Sequence, residues 1–91
     1  MGDHTVDICN DWNGTKGDKV TFVNNTKGNC KITQNDSSPW PFKDGPPIPA
    51  TGSIPPGGTA TTHLKNPLAD GKYPYDVDCC KSETPKNVTV P

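Results

Sequence analysis

The chain has 91 residues, nine basic and ten acidic side chains, a formal net charge of -1 and 29% hydrophobic residues. A domain this small buries only about two-thirds of the surface its unfolded chain exposes, so its core is thin and gains from covalent constraint. The nine lysines are spread along the chain and arginine is absent, which argues against nucleic-acid binding; no apolar run approaches the roughly 20 residues of a membrane helix.

Eleven prolines and nine glycines break the chain into short segments. Residues 1–4 read as a flexible or expression-derived start. Thr5-Val6-Asp7-Ile8 alternates and predicts a first strand. Gly17-Asp18 turns into Lys19-Val20-Thr21-Phe22-Val23, where Val20 and Phe22 share a face. Residues 24–29 read as a loop, followed by a short strand at Lys31-Ile32-Thr33. Residues 35–58 form a long irregular stretch, because Pro39, Pro41, Pro46, Pro47, Pro49, Pro55 and Pro56 exclude a central strand. Trp40 and Phe42 are expected to fold that stretch back onto the core.

Ile54-Pro55-Pro56-Gly57-Gly58 reads as a turn into a strand over 59–64, and Asn66-Pro67 and Asp70-Gly71 punctuate the next link. Lys72 to Asp78 is the clearest strand, with Tyr73, Tyr75, Val77 and Cys79 on one face and Asp76 and Asp78 on the other. Asn87-Val88-Thr89-Val90 closes the domain. Stretches free of Pro and Gly such as 18–27 and 29–38 lack a 3.6-residue period, so no helix is expected. The reading is one all-β domain over residues 1–91, a β-sandwich of about six to eight short strands.

Several segments then point to a family. Gly17-Asp18-Lys19-Val20-Thr21-Phe22-Val23-Asn24-Asn25 resembles the cupredoxin segment that precedes the first histidine ligand. Ile54-Pro55-Pro56-Gly57-Gly58 is similar to the family's mid-chain turn. Gly71-Lys72-Tyr73-Pro74-Tyr75 resembles the approach to its ligand loop, and Asn87-Val88-Thr89-Val90 resembles its last strand. The likeness covers about residues 17–90 in the right order and implies a Greek-key cupredoxin-like (plastocyanin/azurin-type) sandwich. The ten residues between Thr5-Val6 and Gly17-Asp18 leave little room for the usual second strand.

A blue-copper site takes two imidazoles and a thiolate, usually with a weak axial thioether. Where the family pattern places the first histidine this chain has Cys30, and where it places the thiolate it has Val77. The second histidine position falls at Cys80 or Lys81. Met1 is the only methionine, and the two histidines, His4 and His63, lie elsewhere. The likeness therefore implies the scaffold without its type 1 copper centre.

It also implies that Cys30 lies within disulfide reach of Cys79 or Cys80, with Cys9 taking the remaining partner. Pairing Cys79 with Cys80 is the least attractive of the three connectivities, because adjacent cysteines close a strained ring. All four cysteines are thus expected in two structural disulfides. A soft-metal site at Cys30, Cys79 and Cys80, holding copper or zinc, is the alternative. A thiol-redox enzyme is disfavoured by Asp76 and Asp78 beside Cys79 and Cys80, and by the lack of a CxxC.

Other features carry less. If Met1 were removed, Gly2-Asp3-His4 would offer a square-planar Cu(II) donor set. Asp70, Asp76, Asp78 and Glu83 could form an acidic patch at the ligand-loop end. Trp12, Trp40 and Phe42 could supply an apolar contact patch, although core packing suits at least two of them. His63 reads as an ordinary strand residue. Four Asn-x-Ser/Thr triplets, at Asn13, Asn24, Asn35 and Asn87, read as turn chemistry rather than glycosylation sites. Nothing resembles a catalytic set.

Met1-Gly2 does not open a signal peptide. Four cysteines without zinc spacing favour a mature domain, secreted or periplasmic, over a cytosolic one. The expected role is a structural or protein-binding module with another protein as partner and no resident cofactor. The alternative is a metal-binding or electron-transfer protein.

Overall fold

The computed structural model describes residues 2–36, 38–50, 52–81 and 85–91. Seven strands follow in order: β1 (Asp3–Asp7), β2 (Trp12–Asn13), β3 (Lys19–Val23), β4 (Ile32–Gln34), β5 (Thr59–His63), β6 (Gly71–Val77) and β7 (Lys86–Val90). They make a three-stranded sheet in the order β1-β3-β5 and a four-stranded sheet in the order β2-β7-β6-β4. Strands β1 and β3 run parallel, as do β2 and β7; the other neighbours are antiparallel. There is no helix among the described residues.

Alternation sets the layers. In β3 the side chains of Val20 and Phe22 are fully buried, while Lys19 is exposed. Tyr73 and Tyr75 do the same in β6, Val88 and Val90 in β7, and Val6 in β1. The two sheets meet through their aromatic rings: Phe22 of one lies edge-on to Tyr75 of the other with ring centroids 6.0 Å apart, and Phe42 packs against both. Such edge-to-face pairs add about 0.5–1.5 kcal/mol each beyond their buried area. The result is a β-sandwich-like pair of sheets around one core.

Three residues proposed as an apolar contact patch belong to that core. Trp12 is 9% exposed, Trp40 7% and Phe42 0%, so the patch reading is corrected. Each ring is drawn inward by the thin core and its polar handle is satisfied there: Trp12 Nε1 donates to the Tyr75 hydroxyl at 3.0 Å, and Trp40 Nε1 donates to the Asp44 carbonyl at 2.7 Å. Burial, only partly offset by the Trp12 bond, pushes the Tyr75 phenol well above its usual range.

Strand β2 lies in the stretch thought too short to hold a second strand. It needs only two residues, because Trp12 and Asn13 pair with Val88 and Thr89 and Gly14 N extends the ladder to the Thr89 carbonyl. Pro74 sits inside β6 without breaking the sheet. Strand β4 covers β6 only at Tyr75 to Val77, so Pro74 is at a position paired on one side alone.

The proline-rich segment forms no strand but is anchored at three bridges: Ile48 to Ile32, Ile54 to Cys30 and Phe42 to Leu64. It thereby runs from the open edge of β4 to the end of β5 and covers one side of the sandwich. Covering the edge removes the unpaired groups that invite aggregation.

Residues 2–4 are bonded into the first sheet. Asp3 and His4 belong to β1, and Gly2 N donates to Asp18 Oδ1 at 2.9 Å. Asp18, 5% exposed, also accepts from Thr15 N at 2.9 Å and pairs with His4 Nε2 at 2.8 Å. Gly17, with φ of 82°, makes the left-handed turn that points Asp18 into this knot. The His4 hydrogen bond first, then the Thr15 amide, hold the Asp18 carboxyl down at about 2 against an ordinary 3.8. A depressed carboxylate stabilises the fold fully above its unfolded value and loses that contribution as pH falls through the folded value. Unfolding free energy measured in urea should therefore fall between about pH 4 and pH 2, and Asp18→Asn should flatten that decline.

Candidate functional site

The end of the sandwich beyond β3 and β6 collects all four cysteines. Cys9 follows β1, Cys30 precedes β4, and Cys79 and Cys80 follow β6. Cys9 bonds to Cys80 with Cα atoms 5.6 Å apart, and Cys30 bonds to Cys79 with Cα atoms 5.1 Å apart. Both spacings lie within the range a disulfide requires. Pairing of Cys30 with Cys79, and of Cys9 with Cys80, resolves the connectivity left open by the sequence, and no free cysteine remains.

Strand parity gives the pairing a physical reason. The inward face of β6 runs through Tyr73, Tyr75 and Val77, and its alternation carried forward reaches Cys79. Cys79 packs against the core and meets Cys30, which is 0% exposed. Cys80 meets Cys9, and the chain has already left the strand into a turn here, so the sulfurs of Cys9, Cys79 and Cys80 lie within 4.8 Å of one another. Cys9–Cys80 ties the sheet of β1 to the sheet of β6, while Cys30–Cys79 fastens the loop before β4 to the same strand end.

A buried amide organises that loop. Asn24, 0% exposed, donates through Nδ2 to the carbonyls of Gly28 and Ile54, both at 2.8 Å. Its Oδ1 accepts from Thr26 N at 2.9 Å and from Thr26 Oγ1 at 2.6 Å. Its backbone N–H donates to the Gly58 carbonyl and its own carbonyl accepts from Gly57 N. Gly57 adopts φ of 77°, so the turn of residues 54–58 can close on Asn24. Every polar atom of Asn24 is thus used, and the Asn24-Asn25-Thr26 triplet is turn chemistry.

Around the sulfurs lies an open groove of about 810 Å³, lined in part by Cys9, Cys79, Cys80, Lys27, Lys81 and Lys86. Asp7 is on its wall. Asn25 Nδ2 donates to Asp7 Oδ2 at 2.7 Å and Cys9 N donates to Asp7 Oδ1 at 2.9 Å. These bonds, the Asn25 one foremost, hold the Asp7 carboxyl below its usual range.

The remaining candidates are dispersed. Of the metal-ligand set Cys30, Cys79 and Cys80, the last two gather with Cys9 within 4.8 Å, Cys30 reaches that group through its bond to Cys79, and each sulfur is engaged in a disulfide. Val77 is partly buried against the core. His4 and His63 lie opposite Val20 and Lys19, at the start of β3. That is the far end of the sandwich, roughly 16 Å of strand from Asn24. Gly2 N and His4 Nε2 both bond Asp18, and the extended backbone of β1 does not wrap Gly2-Asp3-His4 into a square-planar donor set.

The acidic patch is corrected in the same way. Asp70 precedes β6 and Asp78 follows it, so the two are separated by roughly 20 Å of strand. Asp76 accepts from Asn35 Nδ2 at 2.9 Å and Asp78 accepts from Lys31 N at 2.8 Å, so both carboxylates brace the β4–β6 pair. Glu83 lies outside the described residues.

No family model matches the chain, and neither a curated protein nor a solved structure matches it.

The disulfides close spans of 71 and 49 residues, for which the chain-entropy relation gives about 4 kcal/mol each. Replacing Cys9 and Cys80 by alanine, or Cys30 and Cys79 by alanine, should each lower the urea-derived unfolding free energy by about 4 kcal/mol. A loss below about 1 kcal/mol in either pair would contradict that assignment.

Proposed function

We propose that this chain is an exported cupredoxin-like domain without a type 1 copper centre, acting as a disulfide-stabilised structural or protein-binding module rather than an enzyme. The carrying observation is the pole itself: the positions where the likeness puts two histidines and a thiolate hold Cys30, Val77 and the Cys80–Lys81 pair. Sulfur–sulfur bonds take the place of coordination there. The likeness implied that Cys30 would meet one of the paired cysteines after β6, and that meeting supports the cupredoxin reading. So does the placement of the Asn24-Asn25 turn and the residue 54–58 turn against one another at this end.

Export rests on the sulfur chemistry. Two disulfides persist in oxidising compartments and are rare where thiols are kept reduced. The binding-module role rests on what the scaffold offers: a rigid, covalently fastened frame with polar loops and an open groove at one end.

A second reading, a soft-metal or electron-transfer protein, is favoured by one observation. The sulfurs of Cys9, Cys79 and Cys80 lie within 4.8 Å of one another. That reading needs thiolates, which the oxidised pole does not offer.

The test pairs two measurements on the oxidised protein. Cross-linking in the producing cell should recover a defined protein partner. Titration with Cu(I), Cu(II) and Zn(II) should give no thiolate-to-copper absorption and no stoichiometric uptake at the cysteine pole. Tight copper binding there, with reversible one-electron chemistry, would contradict the module reading.

A further inference from the structure

The four sulfurs form one continuous cluster rather than two separate staples. Cys9, Cys79 and Cys80 have sulfurs mutually within 4.8 Å, and the sulfur of Cys30 is bonded to that of Cys79. Three chain segments that are distant in sequence supply them. In a tetrahedral zinc–thiolate site the metal–sulfur distance is about 2.3 Å, which puts neighbouring sulfurs about 3.8 Å apart. The sulfurs of Cys9, Cys79 and Cys80 are already close to that size, and Cys30, outside that group but bonded to Cys79, has to rotate toward them to supply the fourth thiolate.

Charge and access fit the same outcome. Four thiolates around a divalent ion leave a net charge of -2 by simple count. Among the described residues Lys27, Lys81 and Lys86 line the groove beside Cys9, Cys79 and Cys80, together with the carboxylate of Asp7. Cationic neighbours favour thiolate over thiol. Cys9, Cys79 and Cys80 are half-buried on the groove, so an ion reaches them from solvent, while Cys30 is buried behind them.

We propose that reduction of the two disulfides converts this pole into a four-cysteine site for a soft d10 cation, Zn(II) or Cu(I), so that the end of the sandwich is closed by sulfur bonds when oxidised and by a metal when reduced. The inference stands on the disulfide geometry alone and does not need the module reading or the cupredoxin likeness. Each disulfide takes two electrons and two protons from a dithiol reductant, which becomes a disulfide, and yields two cysteine thiols. Binding the ion by all four then releases their four protons.

The experiment uses the full chain, oxidised and after anaerobic reduction with a phosphine, titrated with Zn(II) or Cu(I) against a chromophoric chelator. Near-ultraviolet circular dichroism of Trp12 and Trp40 is followed in parallel. The reduced chain should bind one ion at least 100-fold more tightly than the oxidised chain, and the ion should restore the aromatic signal of the packed core. Cys9→Ser, Cys30→Ser, Cys79→Ser and Cys80→Ser should each weaken binding about tenfold or more, at least the loss that follows removal of an outer-shell partner of a metal ligand. Equal affinity in both redox states, uptake indifferent to the serine substitutions, or uptake that leaves the aromatic signal lost would each overturn the proposal. Any of these would leave the partner-binding reading standing, since that reading concerns the oxidised domain.

Discussion

Two covalent bonds leaving adjacent residues for two distant segments set the architecture of this domain. Cys79 reaches inward to Cys30 and Cys80 reaches across to Cys9, so one strand end is tied both to the loop before β4 and to the end of β1. Backbone pairing in this part of the fold is sparse: strand β4 is three residues long, β2 only two, and the described residues between β4 and β5 pair with the sheets at isolated bridges while Phe42 packs into the core. For a core this thin, constraint on the unfolded chain supplies stability that apolar burial alone does not. Against a typical total of about 5–15 kcal/mol, two cross-links of about 4 kcal/mol each are a large share.

The polar interior follows the same logic of a few fully used groups. Asn24 at one end and Asp18 at the other each gather segments that are far apart in sequence. Asn24 joins the end of β3 to the residue 54–58 turn, and Asp18 joins the start of β1 to the turn before β3. Among the described residues no buried side-chain nitrogen or oxygen lacks a partner. A buried amide stripped of even one partner costs about 1–3 kcal/mol, so these knots specify the loop paths as firmly as apolar packing specifies the sheets. Strands β1 and β3 run parallel, and the knot at Asp18 holds the first strand in register with the third.

Much of this was legible in the sequence where alternation is long enough to read. Lys19 to Val23 and the Tyr73-Pro74-Tyr75 run show their buried faces directly, and the proline-rich segment reads correctly as strandless but anchored. Trp12-Asn13 did not, because two residues carry no period and β2 exists only through its partner β7. Pairing at the cysteines was half-legible: the parity of β6 points Cys79 inward, yet that signal has to be carried past the strand end. The burial of Trp12 was hidden because its partner hydroxyl, on Tyr75, lies 63 residues away. Asp18 reads as an ordinary turn residue, and only the arrangement of Gly2, His4 and Thr15 around it reveals three incoming hydrogen bonds.

The account as a whole depends on which sulfurs are joined. The common specific proteases do not cut between Cys79 and Cys80 and so leave both on one peptide, which makes tandem mass spectrometry of the non-reduced peptides, with fragmentation of that bond, the decisive measurement. Fragments should show Cys30 linked to Cys79 and Cys9 linked to Cys80, with no free thiol. Fragments joining Cys30 to Cys80 and Cys9 to Cys79, or a protein carrying reactive thiols as isolated, would contradict it.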